Sequence, residues 1–257
     1  MKNTNHLWKA AVLAAALLPA CAGTGPGEKK PRLSLFVGFD ISQSFLEGPH
    51  YDDAVRFLAH YLNAHMKGWG GLDVPATVFV GPIGGTRADE AKTFYPKETF
   101  EGKSVKQLEE ILYKMFPKGS KNPTTDFNAF FKDVAETVKN RNLLLRPIGV
   151  VMVSDGKPYV KENGGKVDFG DINVKPLEKL ARNITLRLLY TDAVTGRSWQ
   201  TEVPRRNVRV WTQDAKVMTL WKDPTVLLPD TPLENQEKLF AWIKSNVDFG
   251  VRARRVS

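Results

Sequence analysis

Apolar, strand-like runs that alternate with amphipathic helical stretches predict an α/β fold: a central, mostly parallel sheet flanked by helices on both faces. Three observations carry this. Residues 32–40, 74–85 and 147–156 are dense in apolar side chains, as strands buried on both faces are. Residues 52–68, 104–116 and 126–140 repeat apolar residues at helical spacing. The two kinds of segment alternate along the chain rather than forming separate blocks.

In order, "RLSLFVGFD" (Arg32 to Asp40) reads as the first strand. A helix follows in "DDAVRFLAHYLNAHMKG", with Val55, Leu58, Leu62 and Met66 on one face and Gly68 as its stop. "VPATVFVGPIGG" (Val74 to Gly85) is the second strand. "SVKQLEEILYKMF" opens with the capping-box pair Ser104 and Gln107 and aligns Val105, Leu108, Leu112 and Met115. "DFNAFFKDVAETVKN" aligns Phe127, Phe131, Val134 and Val138. "PIGVVMVSDG" (Pro147 to Gly156) is the clearest buried strand. A short helix in "VKPLEKLARN" leads to the strand "ITLRLLYT", and "NVRVWTQD" and "KVMTLWKD" read as two more strands. A last helix is expected in "TPLENQEKLFAWIKSNV", capped by Thr231 with Pro232 in its first turn and Glu234 three residues after the cap.

The first residues are of another kind. Lys2 and Lys9 precede an uninterrupted apolar run, Ala10 to Leu18, with no acid among them. Nine residues fall well short of the about 20 that a spanning helix needs. The pattern is that of a secretory signal. Leu18-Pro19-Ala20-Cys21 resembles a bacterial lipobox, which implies cleavage before Cys21, acylation of its thiol and new amino group, and a lipid anchor in the cell envelope. Ala22, rather than Asp, after that cysteine points by the same resemblance to the outer membrane. Cleavage elsewhere by an ordinary signal peptidase is the alternative. The expected division is thus a signal peptide at 1–21, a Gly/Pro/Lys-rich tether at 22–32, and one domain at 33–257 that ends in a helix and the basic tail Arg252 to Arg255.

Cys21 is the only cysteine, so the domain beyond it has no disulfide, thiol catalysis or cysteine-ligated metal. The formal charge of +9 becomes +7 without Lys2 and Lys9. A basic surface suits acidic partners, and export argues against nucleic acid among them. The basic tail is either solvated or touches lipid headgroups.

Asp40, Ser42 and Ser44 form D-x-S-x-S directly after the first strand. "NPTTDF" then offers Thr124 and Thr125 in a loop that leads into a helix, and "VVMVSDG" supplies Asp155 after a central strand. Ser and Asp at strand ends are also ordinary turn and cap residues. Together, in this order and context, the three parts resemble the von Willebrand factor A (vWA) domain and its metal-ion-dependent adhesion site, over about Leu33 to Tyr190.

The resemblance implies a Rossmann-like vWA fold. It also implies a divalent ion, Mg²⁺ or Mn²⁺, held by Asp40, Ser42, Ser44, Thr125 (Thr124 as fallback) and Asp155, with some contacts through water. Such an ion takes about six oxygen ligands and keeps waters readily. With few charged ligands it stays electrophilic, and a carboxylate from a protein partner can complete its sphere. Lys157 and Lys161, in the loop after Asp155, stand as a positive rim to the partner site or are merely solvated.

Binding rather than turnover is the expectation, since no general base or nucleophile is evident near either Asp loop. The alternatives are a metal-dependent hydrolase of the envelope and a structural lipoprotein with an idle site. His60 and His65 lie five apart, off a common helix face, which disfavours zinc. Trp199, Trp211 and Trp221 read as core or sheet-edge packing before a binding face.

Overall fold

The computed structural model describes residues 30–84, 94–119, 125–158, 168–181 and 184–248. The strands are β1 (Ser34–Asp40), β2 (Thr77–Ile83), β3 (Tyr95–Pro96), β4 (Ile148–Val153), β5 (Ile184–Thr191) and β6 (Val208–Asp214). The helices are α1 (Gln43–Leu46), α2 (Tyr51–Lys67), α3 (Val105–Met115), α4 (Phe127–Asn140), α5 (Lys175–Glu178), α6 (Ala193–Thr201), α7 (Ala215–Met218) and α8 (Glu237–Asn246), with short 3₁₀ turns between them. All of these elements fall within one compact unit, Pro31–Ser257, which contains its own core.

The strands form one sheet in the order β3-β2-β1-β4-β5-β6. Every pairing is parallel except β2 with β3. Alternation along β1 divides the core. Leu35, Val37 and Phe39 face α2, α3, α7 and α8, whereas Phe36 faces the layer built by α4, α5 and α6. Both faces are therefore covered, which is why β1 and β4 are buried along their whole length. Burial of each large side chain here contributes about 1.5–3 kcal/mol. The α/β class and the helical cover on both faces agree with the sequence.

Local signals explain much of the rest. Ser104 accepts from the Gln107 amide, and Gln107 Oε1 accepts from the Ser104 amide, so α3 starts with the expected capping box. Gly68 closes α2 at φ +67. On β1, a Cβ at Gly38 would lie 2.6 Å from both Ile83 and Phe130. Glycine there lets α4 pack directly on the sheet close to the end of β1.

Three expectations change. "KVMTLWKD" is not a strand: Asp214 caps it through the Lys216 amide, and it coils into α7 and a 3₁₀ turn that bury Met218 and Trp221 at a spacing of three. The last helix starts later than Thr231, at Glu237. The Gln236 side chain bonds the backbone of Leu228 and Thr231 instead, holding that stretch outside the helix. Residues 193–201, left without an element by sequence, form α6, capped by Asp192. Trp199 lies on that helix, fully buried, and donates to Gly156 O at 2.8 Å. It packs the core, as Trp221 does.

Candidate metal and partner site

Parallel strands direct their carboxyl ends to one edge, and ligands of open α/β sheets sit there. At that edge β1 ends in Asp40 and the turn after β4 carries Asp155. Two further aspartates join them, Asp192 after β5 and Asp214 at the end of β6. "YTD" and "TQD" carry the same strand-then-Asp signal as the two recognised positions.

Asp40 is fully buried. Its Oδ1 accepts from the Ser42 amide at 2.8 Å, and its Oδ2 accepts from the Ser154 hydroxyl at 2.5 Å. Burial pushes this carboxyl up to about 7, against the Ser154 and Ser42 hydrogen bonds, and the nearby Asp155 charge adds to the rise. Ser42 is buried, Ser44 is exposed, and their hydroxyl oxygens lie 3.2 Å apart. Thr125 is buried immediately before Asp126, whose side chain caps α4 by accepting from the Ala129 amide. The packing of Phe130 on Gly38 holds this end of α4 near the end of β1.

Asp155 is half-buried, and burial raises its carboxyl, opposed by the Lys157 amide and ammonium. Lys157 Nζ stands 3.9 Å from Asp155 Oδ2. Gly156 follows at φ +77, where a Cβ would also crowd Leu188 and Thr191, so the turn that aims Asp155 has little freedom. Ser154 was missed by sequence reasoning, since nothing but its place before Asp155 marks it. Thr124, Lys161 and Cys21 lie outside the described residues.

Beside these groups is a cleft of about 450 Å³, lined by Ser44, His50, Asp155, Lys157, Asp192 and Asp214 among others. His50 thus stands in the same cleft as Asp155, although the sequence suggested no histidine near either Asp loop. Tyr190, on its wall, has φ +76 and is held by donation to the buried carboxylate of Asp53 at 2.8 Å.

The donor chemistry fits a hard divalent cation: two carboxylates, three hydroxyls and no nitrogen or sulfur. Among the described residues no group of three or more His, Cys, Asp or Glu is placed to hold a metal, so such a site must draw on the hydroxyls of Ser42, Ser44 and Thr125. The fully buried Asp40, whose neighbouring charge is another carboxylate, is a group that a cation would relieve. His65 instead donates to Asp73 O and Asp248, and the His60 ring lies tilted against Trp221.

No protein-family model matches the chain, and no curated protein matches its sequence. Solved structures with a similar course of the chain do. Proximal thread matrix protein 1 from the mussel byssus is 13% identical over 74% of this chain and 47% of its own, with a TM-score of 0.44. Another structure of that protein is described with a zinc-occupied MIDAS motif. Pilus adhesin SpaC from Lactobacillus rhamnosus GG is 10% identical over 85% of this chain and 31% of its own, with a TM-score of 0.49. The SpRpn10 VWA domain is 11% identical over 80% of this chain and 93% of its own, with a TM-score of 0.39. The chain spans less than half the length of the first two. The strand order and parallel pairing make the fold a vWA-like, Rossmann-type α/β sheet.

Proposed function

We propose that this chain is an exported lipoprotein, anchored through Cys21 in the bacterial envelope, whose vWA-like domain binds a protein partner through Mg²⁺ or Mn²⁺. The observation that carries the reading is the convergence at one sheet edge. Asp40 is buried and short of a counter-charge, the Ser42 and Ser44 hydroxyls face each other, and Asp155 stands on the wall of an open cleft. Asp40, Ser42, Ser44, Thr125 and Asp155 would hold the ion, which when bound supplies a Lewis-acidic position for a partner's carboxylate. Asp40 and Ser42 supply the deep side of the site; Ser44 and Asp155 supply the side nearer solvent. Lys157 lends positive charge at the rim.

The test is partner capture from envelope extracts by the domain in Mg²⁺. Wild-type capture should vanish with EDTA and in Asp40→Ala, and equal capture by wild type and Asp40→Ala overturns the reading.

A second reading, a metal-dependent hydrolase, draws support from His50 in the cleft. Mg²⁺-dependent turnover that His50→Ala abolishes would replace binding as the function.

A further inference from the structure

The opposite edge of the sheet, where the parallel strands begin, has different chemistry. Between α4 and β4 runs "RNLLLR", Arg141 to Arg146. Leu143 turns into the core, but Leu144 is 49% exposed and Leu145 83% exposed. Leu145 stands at φ +64, a conformation that costs any residue but glycine. The loop is not loosely attached: the Leu143 amide bonds Val138 O, the Leu145 amide bonds Leu180 O, and the Arg146 amide bonds Leu143 O. Two neighbouring leucines are thus held out to solvent by a fixed and strained backbone.

Cations share this edge with them. Arg141 and Arg146 flank the pair and are exposed. Arg32 before β1, Lys179 before β5 and Arg206 before β6 are exposed on the same edge. Among the described residues no salt bridge engages these five side chains. Next to the loop the chain enters β1, with the Ser34 amide bonded to Pro147 O.

We propose that the Arg141–Arg146 loop docks on an anionic lipid surface, with Leu144 and Leu145 entering the headgroup layer and the surrounding arginines and lysine pairing with lipid phosphates. Apolar tips flanked by cations match that surface, because the apolar atoms leave water while the charges stay at headgroup depth. A protein face offers a tight apolar pocket instead, and the flanking arginines would have to be desolvated against it.

The proposal does not depend on acylation, because it is tested on the unit Pro31–Ser257, which contains every described element and both cores. Co-sedimentation would use vesicles of phosphatidylglycerol with phosphatidylcholine, against phosphatidylcholine alone. The unit should partition to the anionic vesicles and lose most of that binding in high salt. Arg141→Gln and Arg146→Gln should each lower partition about fivefold. Leu144→Ser with Leu145→Gly should lower it about tenfold or more. Glycine accepts φ +64 freely, so Leu145→Gly alone should melt no lower than wild type while still lowering partition several-fold, a loss that cannot be assigned to misfolding. Equal partition to both vesicle types overturns the proposal, as does anionic binding that the leucine changes leave intact. So does a leucine-dependent dimer in solution without vesicle binding, which would make the occupant a second copy of the chain.

Discussion

Ser154 donates its hydroxyl hydrogen to Asp40 Oδ2 at 2.5 Å, joining the ends of two neighbouring strands across 114 residues of sequence. The same hydroxyl oxygen accepts from the Gly156 amide at 2.9 Å, so one side chain ties the deepest carboxylate to the turn that carries Asp155. Hydrogen bonds to a carboxylate favour its charged form. Ser154→Ala should therefore raise Asp40 further and weaken Mg²⁺ binding about tenfold near neutral pH. Calorimetry at several pH values reads this directly, and unchanged affinity would detach Ser154 from the site.

Asp40 also sets a pH dependence. Its folded value, about 7, lies above the ordinary 3.8. The folded state keeps a proton that the unfolded chain loses, so this group's contribution is full below about pH 4 and is lost as pH rises through 7. The cost reaches on the order of 4 kcal/mol for the metal-free domain. Mg²⁺, which needs the carboxylate, should raise the melting temperature more at pH 8 than at pH 5.5. Metal-free Asp40→Asn should be at least as stable as wild type at pH 8, yet should gain nothing from Mg²⁺. A Mg²⁺ response in Asp40→Asn equal to that of wild type would remove Asp40 from the ligand set.

Lys157 and Thr125 should act in opposite directions on metal affinity. The Lys157 ammonium stands 3.9 Å from Asp155 and competes with a cation for it. Lys157→Gln should tighten metal binding a few-fold while slowing capture of an acidic partner, whose approach it steers. Thr125→Ala removes a neutral donor and should weaken both. Matched titrations and association rates distinguish the two, and a Lys157→Gln variant with weaker metal binding contradicts the competition.

Far from the site, Asp248 accepts from Tyr61 and His65, each at 2.8 Å. Burial lowers the His65 imidazole, but the hydrogen bond and charge of Asp248 outweigh it and hold His65 above its usual range. Burial raises Asp248, but His65, Arg187 and Tyr61 outweigh it and hold it low. The pair therefore stabilises from the acid range up to about pH 6.5 and fades as pH rises through the raised His65 value. Asp248→Asn should cost about 3 kcal/mol at pH 6 and less at pH 9. Asp40 adds a decline of the same sign, so the readout is the difference between the two proteins across pH. A constant difference would mean that His65 carries no charge.

The anchor has a separate test. Cys21→Ser should move the protein from the membrane fraction to the soluble envelope fraction, and mass spectrometry should find lipid on the wild-type amino-terminal peptide. Unmodified wild-type peptide excludes the lipoprotein reading.

The sheet was legible because buried strands are apolar on both faces, and α2, α3 and α4 because each carries an apolar stripe with its own start or stop signal. The positions of Asp40, Ser42, Ser44 and Asp155 at or just past strand ends were legible because the strand-to-loop boundary is sharp in sequence. Ser154 was not, for its role depends on two strands meeting across a long separation. Nor was α7: four residues are too few to show a period, and their state is decided by where Met218 and Trp221 must be buried. Asp192 and Asp214 went unread although they repeat a recognised signal, because α6 and α7, which they cap, were not seen.

β1 is also a measure of distance. It takes the chain from the edge that bears the leucine loop to the edge that bears Asp40 in seven residues, a rise of about 20 Å. If the leucine edge rests on a bilayer, the metal side stands that far above the lipid and looks outward. A partner's carboxylate would then have to arrive at a height of about 20 Å. A partner lying flat in the same leaflet would be out of reach, while one that projects from the facing side of the envelope could be met.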